Sequence, residues 1–188
     1  THSYSSAASD VYKRQSLTVA NLGIAMSQAG LRTVIIDADL RQPKQHTLFG
    51  LENDRGLTNL LCYPDLRVDG LLKKCKYASN LHLLNAGVLW NEQTTAGGIL
   101  SLTPTELLGI EIMQKILGQI QEKADVILID SPPVVPFADP AVLSAAVDGV
   151  VLILALNRTK QPIAKQALRN LSQANARVYG FVSNHPTG

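Results

Sequence analysis

Two aliphatic segments that end in aspartate constrain the fold of this chain most strongly. The stretches Thr33-Val-Ile-Ile-Asp37 and Val126-Ile-Leu-Ile-Asp130 are uninterrupted by charge until the closing carboxylate. Such runs are typical of strands that are buried on both faces of a parallel sheet. Open α/β sheets bind their ligands at the carboxyl ends of the strands, so we expect both aspartates to lie at the ligand-binding edge.

A second aspartate follows the first of these strands, because Asp39 stands two positions after Asp37. The strand period of two allows both carboxylates to face the same side of the sheet. Two carboxylates this close repel each other unless one keeps its proton or a cation lies between them. Oxygen ligands of this kind suit Mg²⁺. The alternative for an isolated Asp-x-Asp is a strand end at which the aspartates only cap a turn.

The alternation of apolar segments predicts an α/β fold with a mainly parallel sheet and right-handed crossovers. Strands are expected over 33–37, 80–84, 126–130, 149–155 and 178–183. Helices are expected over 16–29, 56–61, 68–72, 104–123, 139–146 and 162–174, with Gly30 and Thr103 as caps and a surface loop over 90–102.

Composition excludes several function classes. The net charge of +2 gives no basic stripe that would indicate nucleic-acid binding. Two cysteines, Cys62 and Cys75, are too few for a metal or disulfide framework and favour a cytoplasmic compartment. No apolar run approaches the roughly 20 residues of a membrane span, so any membrane link is expected to come from a partner or from a missing segment.

The first fifteen residues do not share the pattern of the rest of the chain. Residues 1–9 are rich in Ser, Ala and Thr, and Asp10-Val-Tyr-Lys-Arg-Gln15 can be encoded by GATGTGTATAAGAGACAG. That sequence resembles the transposase end used in preparing sequencing libraries. We therefore predict a disordered or artefactual segment over 1–15 and a single domain over 16–188 that is truncated at both ends. An ordinary disordered tail is the alternative.

Three motifs resemble those of one family. Ser16-Leu-Thr-Val-Ala-Asn, Val34-Ile-Ile-Asp-Ala-Asp-Leu-Arg-Gln-Pro43 and Ile127-Leu-Ile-Asp-Ser-Pro-Pro133 are similar to the Walker motifs of bacterial tyrosine kinases. These kinases belong to the capsule and exopolysaccharide chain-length regulators, within the deviant-Walker P-loop ATPases. The resemblance extends from about residue 16 to 184. It implies a three-layer P-loop NTPase-like fold in which the first strand and the phosphate-binding loop are missing or replaced.

The resemblance also implies a role for each matching residue. Ser16, Asp37, Asp39 and Asp130 would hold Mg²⁺, and Asp37 and Asp39 would also deprotonate an acceptor tyrosine. Arg41 would lie near the phosphates or a neighbouring subunit. The implied ATP contacts are made by Ser16, Leu17, Thr18 and Asn184, of which Asn184 would read the adenine edge. Arg41 as a solvated turn residue and Asn184 as a strand end are the structural alternatives.

The chain departs from the family at the phosphate-binding loop. Arg14 and Gln15 occupy the places of a glycine and a lysine before Ser16. Glycine permits close approach to phosphate and lysine supplies charge there, so this polypeptide is expected to bind ATP poorly or not at all. The resemblance also implies a tyrosine cluster after Asn184 and a membrane-spanning adaptor region, both of which are expected to lie outside this chain.

The leading interpretation is an ATP- and Mg²⁺-dependent tyrosine autokinase that regulates exopolysaccharide or capsule polymerisation and export. It would act at the inner face of the plasma membrane, through a fused or separate transmembrane adaptor, and form homo-oligomers. A switch ATPase of the septum-site or partitioning type and a non-catalytic scaffold fragment are the alternatives.

Overall fold

The principal sheet is built around the two aliphatic segments that end in aspartate. The structure, a computed structural model, describes residues 2–63, 65–88, 103–156 and 159–184, and the side chains of all these except 2–14 and 110. Strands β1 (Thr33–Asp37), β3 (Leu81–Leu84) and β4 (Val126–Asp130) are parallel, and β2 (Leu72–Lys74) pairs antiparallel with β3. The strand order is β2-β3-β1-β4, so β1 is central.

A second sheet contains two parallel strands, β5 (Val150–Ala155) and β6 (Val178–Asn184). Among the described residues, β4 pairs only with β1 and β5 only with β6, so each sheet ends in an unpaired edge. Parallel strands are normally covered on both faces. Here Val151 is 51% exposed and Phe181 is 71% exposed. The second sheet is therefore incompletely covered by the described residues.

Helices flank the principal sheet on both faces. The helices of the described residues are α1 (His2–Gln28), α2 (Gln45–Phe49), α3 (Leu57–Cys62), α4 (Pro104–Leu107), α5 (Ile110–Gln121), α6 (Asp139–Ser144) and α7 (Gln161–Gln173), with a 3₁₀ turn over Val68–Gly70. Within the described part of the chain, none of them is both long and apolar enough to cross a membrane.

The core has two halves because successive residues of β1 face opposite sides of the sheet. Val34 and Ile36 pack in one cluster with residues of α3 and α5, such as Leu60 and Met113. Ile35 packs on the other side with Ala20 of α1 and with Leu81 and Leu83 of β3. The result is the predicted three-layer arrangement of helix, sheet and helix.

Several predicted helix boundaries differ from those in the structure. The predicted helix over 104–123 is wrong as a single element, because the extended backbone of Gly109 (φ −49°, ψ 139°) separates α4 from α5. Thr103 is the predicted N-cap, and its backbone N–H donates to the Glu106 carboxylate at 2.7 Å. The predicted helix over 68–72 is only a 3₁₀ turn that leads into β2. The loop predicted over 90–102 lies outside the described residues.

Helix α1 begins earlier than predicted. The sequence placed its start at Ser16, whereas the structure continues the helix back to His2. Gly30 closes the helix with a φ of 94°, as expected for a glycine C-cap. The division of the chain at residue 15, with a disordered or artefactual leading segment, stays a prediction.

The close approach of α3 to the end of β3 requires glycine at position 56. A Cβ on Gly56 would collide with the Asn85 carbonyl group and lie 2.7 Å from the backbone nitrogen of Gly87. We expect Gly56→Ala to lower the free energy of unfolding by about 2–3 kcal/mol, because backbone atoms must move. Urea unfolding measures this loss.

Gly118 is the matched control, since a Cβ there meets nothing within 4 Å. Gly118 lies in the interior of α5, so Gly118→Ala is expected to stabilise the chain by roughly 0.5–1 kcal/mol. Equal effects of the two substitutions would contradict the packing argument.

Candidate functional site

The two strand-terminal aspartates lie side by side at the carboxyl edge of the sheet. Asp37 and Asp130 are register partners of β1 and β4, and both are almost completely buried. Burial and the neighbouring Asp130 charge raise the pKa of Asp37 to about 7. The backbone N–H groups that donate to Asp37 lower its pKa, but they do not outweigh these two effects. Burial also raises the pKa of Asp130 to about 6. The pair therefore favours a shared proton or a bound cation.

Gln45, the first residue of α2, joins the two carboxylates. Its side-chain Nε2 donates to Asp130 Oδ2 at 2.8 Å and to the Ser16 carbonyl oxygen at 2.9 Å. The backbone N–H groups of Lys44 and Gln45 both donate to Asp37 Oδ2, at 3.0 and 2.9 Å. Gln45 is itself fully buried. A hydrogen-bond network that reaches α1, β1, α2 and β4 thus holds the carboxylates of Asp37 and Asp130. We call the sheet edge formed by these two residues the acidic edge.

Ser16 belongs to this network from the α1 side. It is 3% exposed, and a hydrogen bond from its hydroxyl lowers the pKa of Asp130, although burial outweighs this contact. The side chain of Gln15 donates from Nε2 to the carbonyl oxygen of Ser131 at 2.7 Å. These contacts fix α1 against the end of β4.

Asp39 is held by the turn that follows β1. Its Oδ1 accepts hydrogen bonds from the backbone N–H groups of Arg41 at 3.1 Å and Gln42 at 2.9 Å. Burial raises the pKa of Asp39, while these two N–H groups oppose the increase. Asp39 is 2% exposed, and its charge contributes to the raised pKa of Asp130, so it lies inside the protein near the pair.

Arg41 is engaged by a buried carboxylate. Its Nε donates to Asp139 Oδ2 at 2.7 Å and its Nη2 to Asp139 Oδ1 at 3.3 Å. Nη2 also lies 3.3 Å from Thr105 Oγ1, and the Thr105 hydroxyl donates to Asp139. The guanidinium carbon stands 4.4 Å from the centroid of the Phe137 ring. Arg41 is therefore not a solvated turn residue in this structure.

The residues at the acidic edge fit a divalent cation. Asp37 Oδ1, Asp130 Oδ1 and Gln45 Oε1 are buried acceptors without a hydrogen-bond partner in the structure. Unsatisfied oxygens of this kind are the ligands that Mg²⁺ prefers. Within the described residues, no group of three or more His, Cys, Asp or Glu side chains could hold a metal ion. The cation site would therefore combine two carboxylates with the amide oxygen and the Ser16 hydroxyl.

The phosphate-binding part of the site does not fit its predicted role. Ser16 was expected to open a helix, but it lies inside α1. The N–H groups that cradle phosphate must be free at a helix N-terminus, and those around Ser16 are within the helical ladder. The residues present before Ser16 thus support the prediction that this polypeptide binds ATP poorly.

The remaining predicted ATP contacts are spread over the molecule. Leu17 is 44% exposed on α1, and Thr18 is half-buried one residue further on. Asn184 ends β6 in the second sheet, where its carbonyl oxygen accepts from the Leu156 N–H at 3.0 Å. The described hydrogen-bond network around Asp37 and Asp130 does not contain Asn184, whose adenine role stays a prediction.

Sequence reasoning missed Gln45, Thr105 and Asp139. Pro43 and Gly50 predict a connection, so no sequence signal indicates that Gln45 begins a helix. The sequence predicts for Asp139 only that it starts a helix. The one available signal was its place before Pro140 at that start, where an acidic side chain is common.

The fold and the acidic edge define an α/β protein of the P-loop ATPase and kinase class, for which nucleotide binding is the common property. Residues 14–178 match the model of a family described as AAA domain. The chain belongs to this family, and two relatives place it in the branch of the bacterial tyrosine kinases within it.

Two relatives place it in that branch. The chain is 29% identical to the tyrosine-protein kinase YwqD of Bacillus subtilis over 170 residues, which cover 90% of this chain and 66% of the relative. It is 31% identical to the putative tyrosine-protein kinase CapB of Staphylococcus aureus, covering 90% of this chain and 69% of the relative. The chain thus spans about two thirds of the length of these relatives.

Solved structures agree with this placement. The kinase domain of VpsO superposes with a TM-score of 0.75 at 28% identity, covering 88% of this chain and 75% of that domain. The cell division protein MinD of Aquifex aeolicus gives a TM-score of 0.68 at 22% identity, covering 93% of this chain and 64% of that protein. The second similarity shows the fold alone.

Proposed function

We propose that this chain is part of an ATP-dependent protein-tyrosine kinase that regulates the polymerisation and export of capsule or exopolysaccharide. The observation that carries the proposal is the buried Asp37–Asp130 pair, with its unsatisfied oxygens, in a chain of the tyrosine-kinase branch.

Different residues of this chain would have different roles at the acidic edge. Asp37, Asp130 and the Ser16 hydroxyl would hold Mg²⁺, which when bound supplies positive charge that stabilises a transferring phosphoryl group. Asp39, beside the pair, would accept the proton of a tyrosine hydroxyl, because its raised pKa brings it closer to neutral pH. Arg41 would keep Asp39 in place through its backbone N–H.

The rest of the proposal concerns the longer protein. A transmembrane polysaccharide co-polymerase or adaptor, fused or separate, would bring the domain to the inner face of the plasma membrane. Its homo-oligomeric state would let one subunit present tyrosines to another. These features rest on the resemblance to the family.

The experiment restores the altered phosphate-binding residues. The double substitution Arg14→Gly, Gln15→Lys is expected to increase affinity for a fluorescent ATP analogue at least tenfold over the unaltered chain, which should bind poorly. Transfer of ³²P from γ-labelled ATP to a tyrosine-containing polymer then tests the kinase. Asp130→Asn in the restored background is the control and should abolish transfer.

The outcomes separate the candidate functions. Micromolar binding by the unaltered chain would refute its predicted defect. Phosphate release without label on tyrosine would favour the second candidate, the switch ATPase, with whose fold the MinD similarity is compatible. No gain of nucleotide binding in the restored variant would favour a non-catalytic scaffold.

A further inference from the structure

Gln45 connects every element of the acidic edge, although nothing in the sequence motifs singles it out. The residue is 0% exposed. Its side-chain amide donates to Asp130 and to the backbone of Ser16, and its backbone N–H donates to Asp37. A single residue therefore fixes the end of β1, the end of β4 and a turn of α1 relative to one another.

The orientation of the Gln45 amide follows from its partners. Both groups within reach of Nε2, the Asp130 carboxylate and the Ser16 carbonyl, are acceptors. The opposite orientation would place the amide oxygen against two oxygens, so the assigned orientation is the one the network allows. Oε1 consequently lies on the other side of the amide carbon, buried and without a partner.

The same contacts engage only one oxygen of each carboxylate. Oδ2 of Asp37 and Oδ2 of Asp130 accept the hydrogen bonds, while both Oδ1 atoms are buried and unsatisfied. An apolar side chain at position 45 would avoid burying an amide with an unsatisfied oxygen. With glutamine at position 45, three oxygens remain unsatisfied, one each on Asp37, Asp130 and Gln45. The hydrogen bonds of Gln45 connect these three residues.

We infer that Gln45 is both a positioning residue and a ligand of a divalent-cation site. Its donated hydrogen bonds orient Asp37 and Asp130 so that one oxygen of each, together with its own Oε1, is available to the ion. The inference rests on the proposed function, in which this edge holds Mg²⁺. Hydrogen-bonding partners of metal ligands commonly contribute 10- to 100-fold to metal affinity.

The experiment measures Mn²⁺ binding to the full chain without nucleotide, with the free ion followed by electron paramagnetic resonance at pH 8. Gln45→Met keeps a similar length but removes the amide, and it is expected to weaken binding at least tenfold. Gln114→Met, on the exposed side of α5, is the matched control and should leave the affinity unchanged. Leu60→Val, in the buried face of α3, should lower stability without changing the affinity.

Two results would overturn the inference. One is an unchanged Mn²⁺ affinity in folded Gln45→Met, and the other is an unaltered chain that binds no Mn²⁺ at millimolar concentration. If Gln45→Met does not fold, Gln45→Asn, which withdraws the amide by one methylene, should show the same tenfold loss. Failure of the proposed kinase function appears separately, in the phosphotransfer assay of the variant restored at positions 14 and 15.

Discussion

Asp37→Asn is expected to raise the free energy of unfolding at pH 8 by on the order of 3 kcal/mol. The ionised Asp37 carboxylate is buried beside Asp130, and its pKa is raised to about 7. Each unit of difference from the unfolded value near 3.9 corresponds to about 1.4 kcal/mol. An asparagine keeps an acceptor for the N–H groups of Lys44 and Gln45, and its amide can donate toward the unsatisfied oxygen of Asp130.

The effect of Asp37→Asn should depend on pH in a defined direction. Because the folded state holds the Asp37 proton more tightly than the unfolded state, stability falls as the pH rises from about 4 to about 7. Above that range the loss is complete, so the gain from Asn is largest at pH 8 and shrinks toward pH 4. Urea unfolding at pH 4.5, 6 and 8 measures this trend.

Asp54 is the control for the same substitution. It is exposed, and its hydrogen bond with Lys73 lowers its pKa, so Asp54→Asn should produce no stabilisation at pH 8. A loss of stability in Asp37→Asn at pH 8 would show that the network already satisfies the ionised carboxylate. If Asp37→Asn is more stable but no longer binds Mn²⁺, Asp37 lowers the stability of the fold while serving the site, as functional residues commonly do.

Asp139→Ala is expected to lower the free energy of unfolding by about 2–3 kcal/mol. Asp139 is 1% exposed and accepts from Arg41 and from Thr105, so its removal leaves both donors without their partner. Breaking a buried ion pair typically costs about 3–5 kcal/mol, and the value is smaller here because Arg41 is 29% exposed. Urea unfolding provides the measurement.

The exposed pair between Arg32 and Asp125 supplies the comparison. It has similar bidentate geometry, with 2.6 Å between Arg32 Nη2 and Asp125 Oδ1, but both side chains are well exposed. Asp125→Ala should therefore cost clearly less than Asp139→Ala. The double substitution Arg41→Met, Asp139→Leu should recover most of the loss, since it removes the unpaired charge. Equal costs for the two single substitutions would contradict the role of burial.

The sequence predicted those parts of the fold in which local pattern and burial agree. The strands at 33–37 and 126–130 are found at those bounds. All five residues of β1 are buried, whereas the aliphatic residues of β4, an edge strand among the described residues, are half-buried. The approach of Asp37 to Asp130 was expected from the common edge of parallel strands, and their register confirms it. The cap at Thr103 was likewise a local property.

Other features depend on tertiary contacts that no local pattern reveals. Gln45 is polar and buried only because it reaches Asp130 and Ser16, which lie far from it in the chain. Arg41 pairs with Asp139, which is 98 residues away in the sequence. The start of α1 was misplaced because the polar residues before Ser16 lack helical periodicity, whereas backbone hydrogen bonding continues through them.

The pairing of β1 has a consequence for how quickly this chain folds. Both neighbours of β1 come from much later in the sequence, since Thr33 pairs with Leu81 on one side and with Val126 on the other. Sheets made of such distant partners form slowly, because long loops must close, at a cost in entropy, before the stabilising contacts form. Until β4 pairs with β1, the free edge of this aliphatic strand can pair with other protein molecules. Association between molecules should therefore compete with refolding, and more strongly as the protein concentration rises.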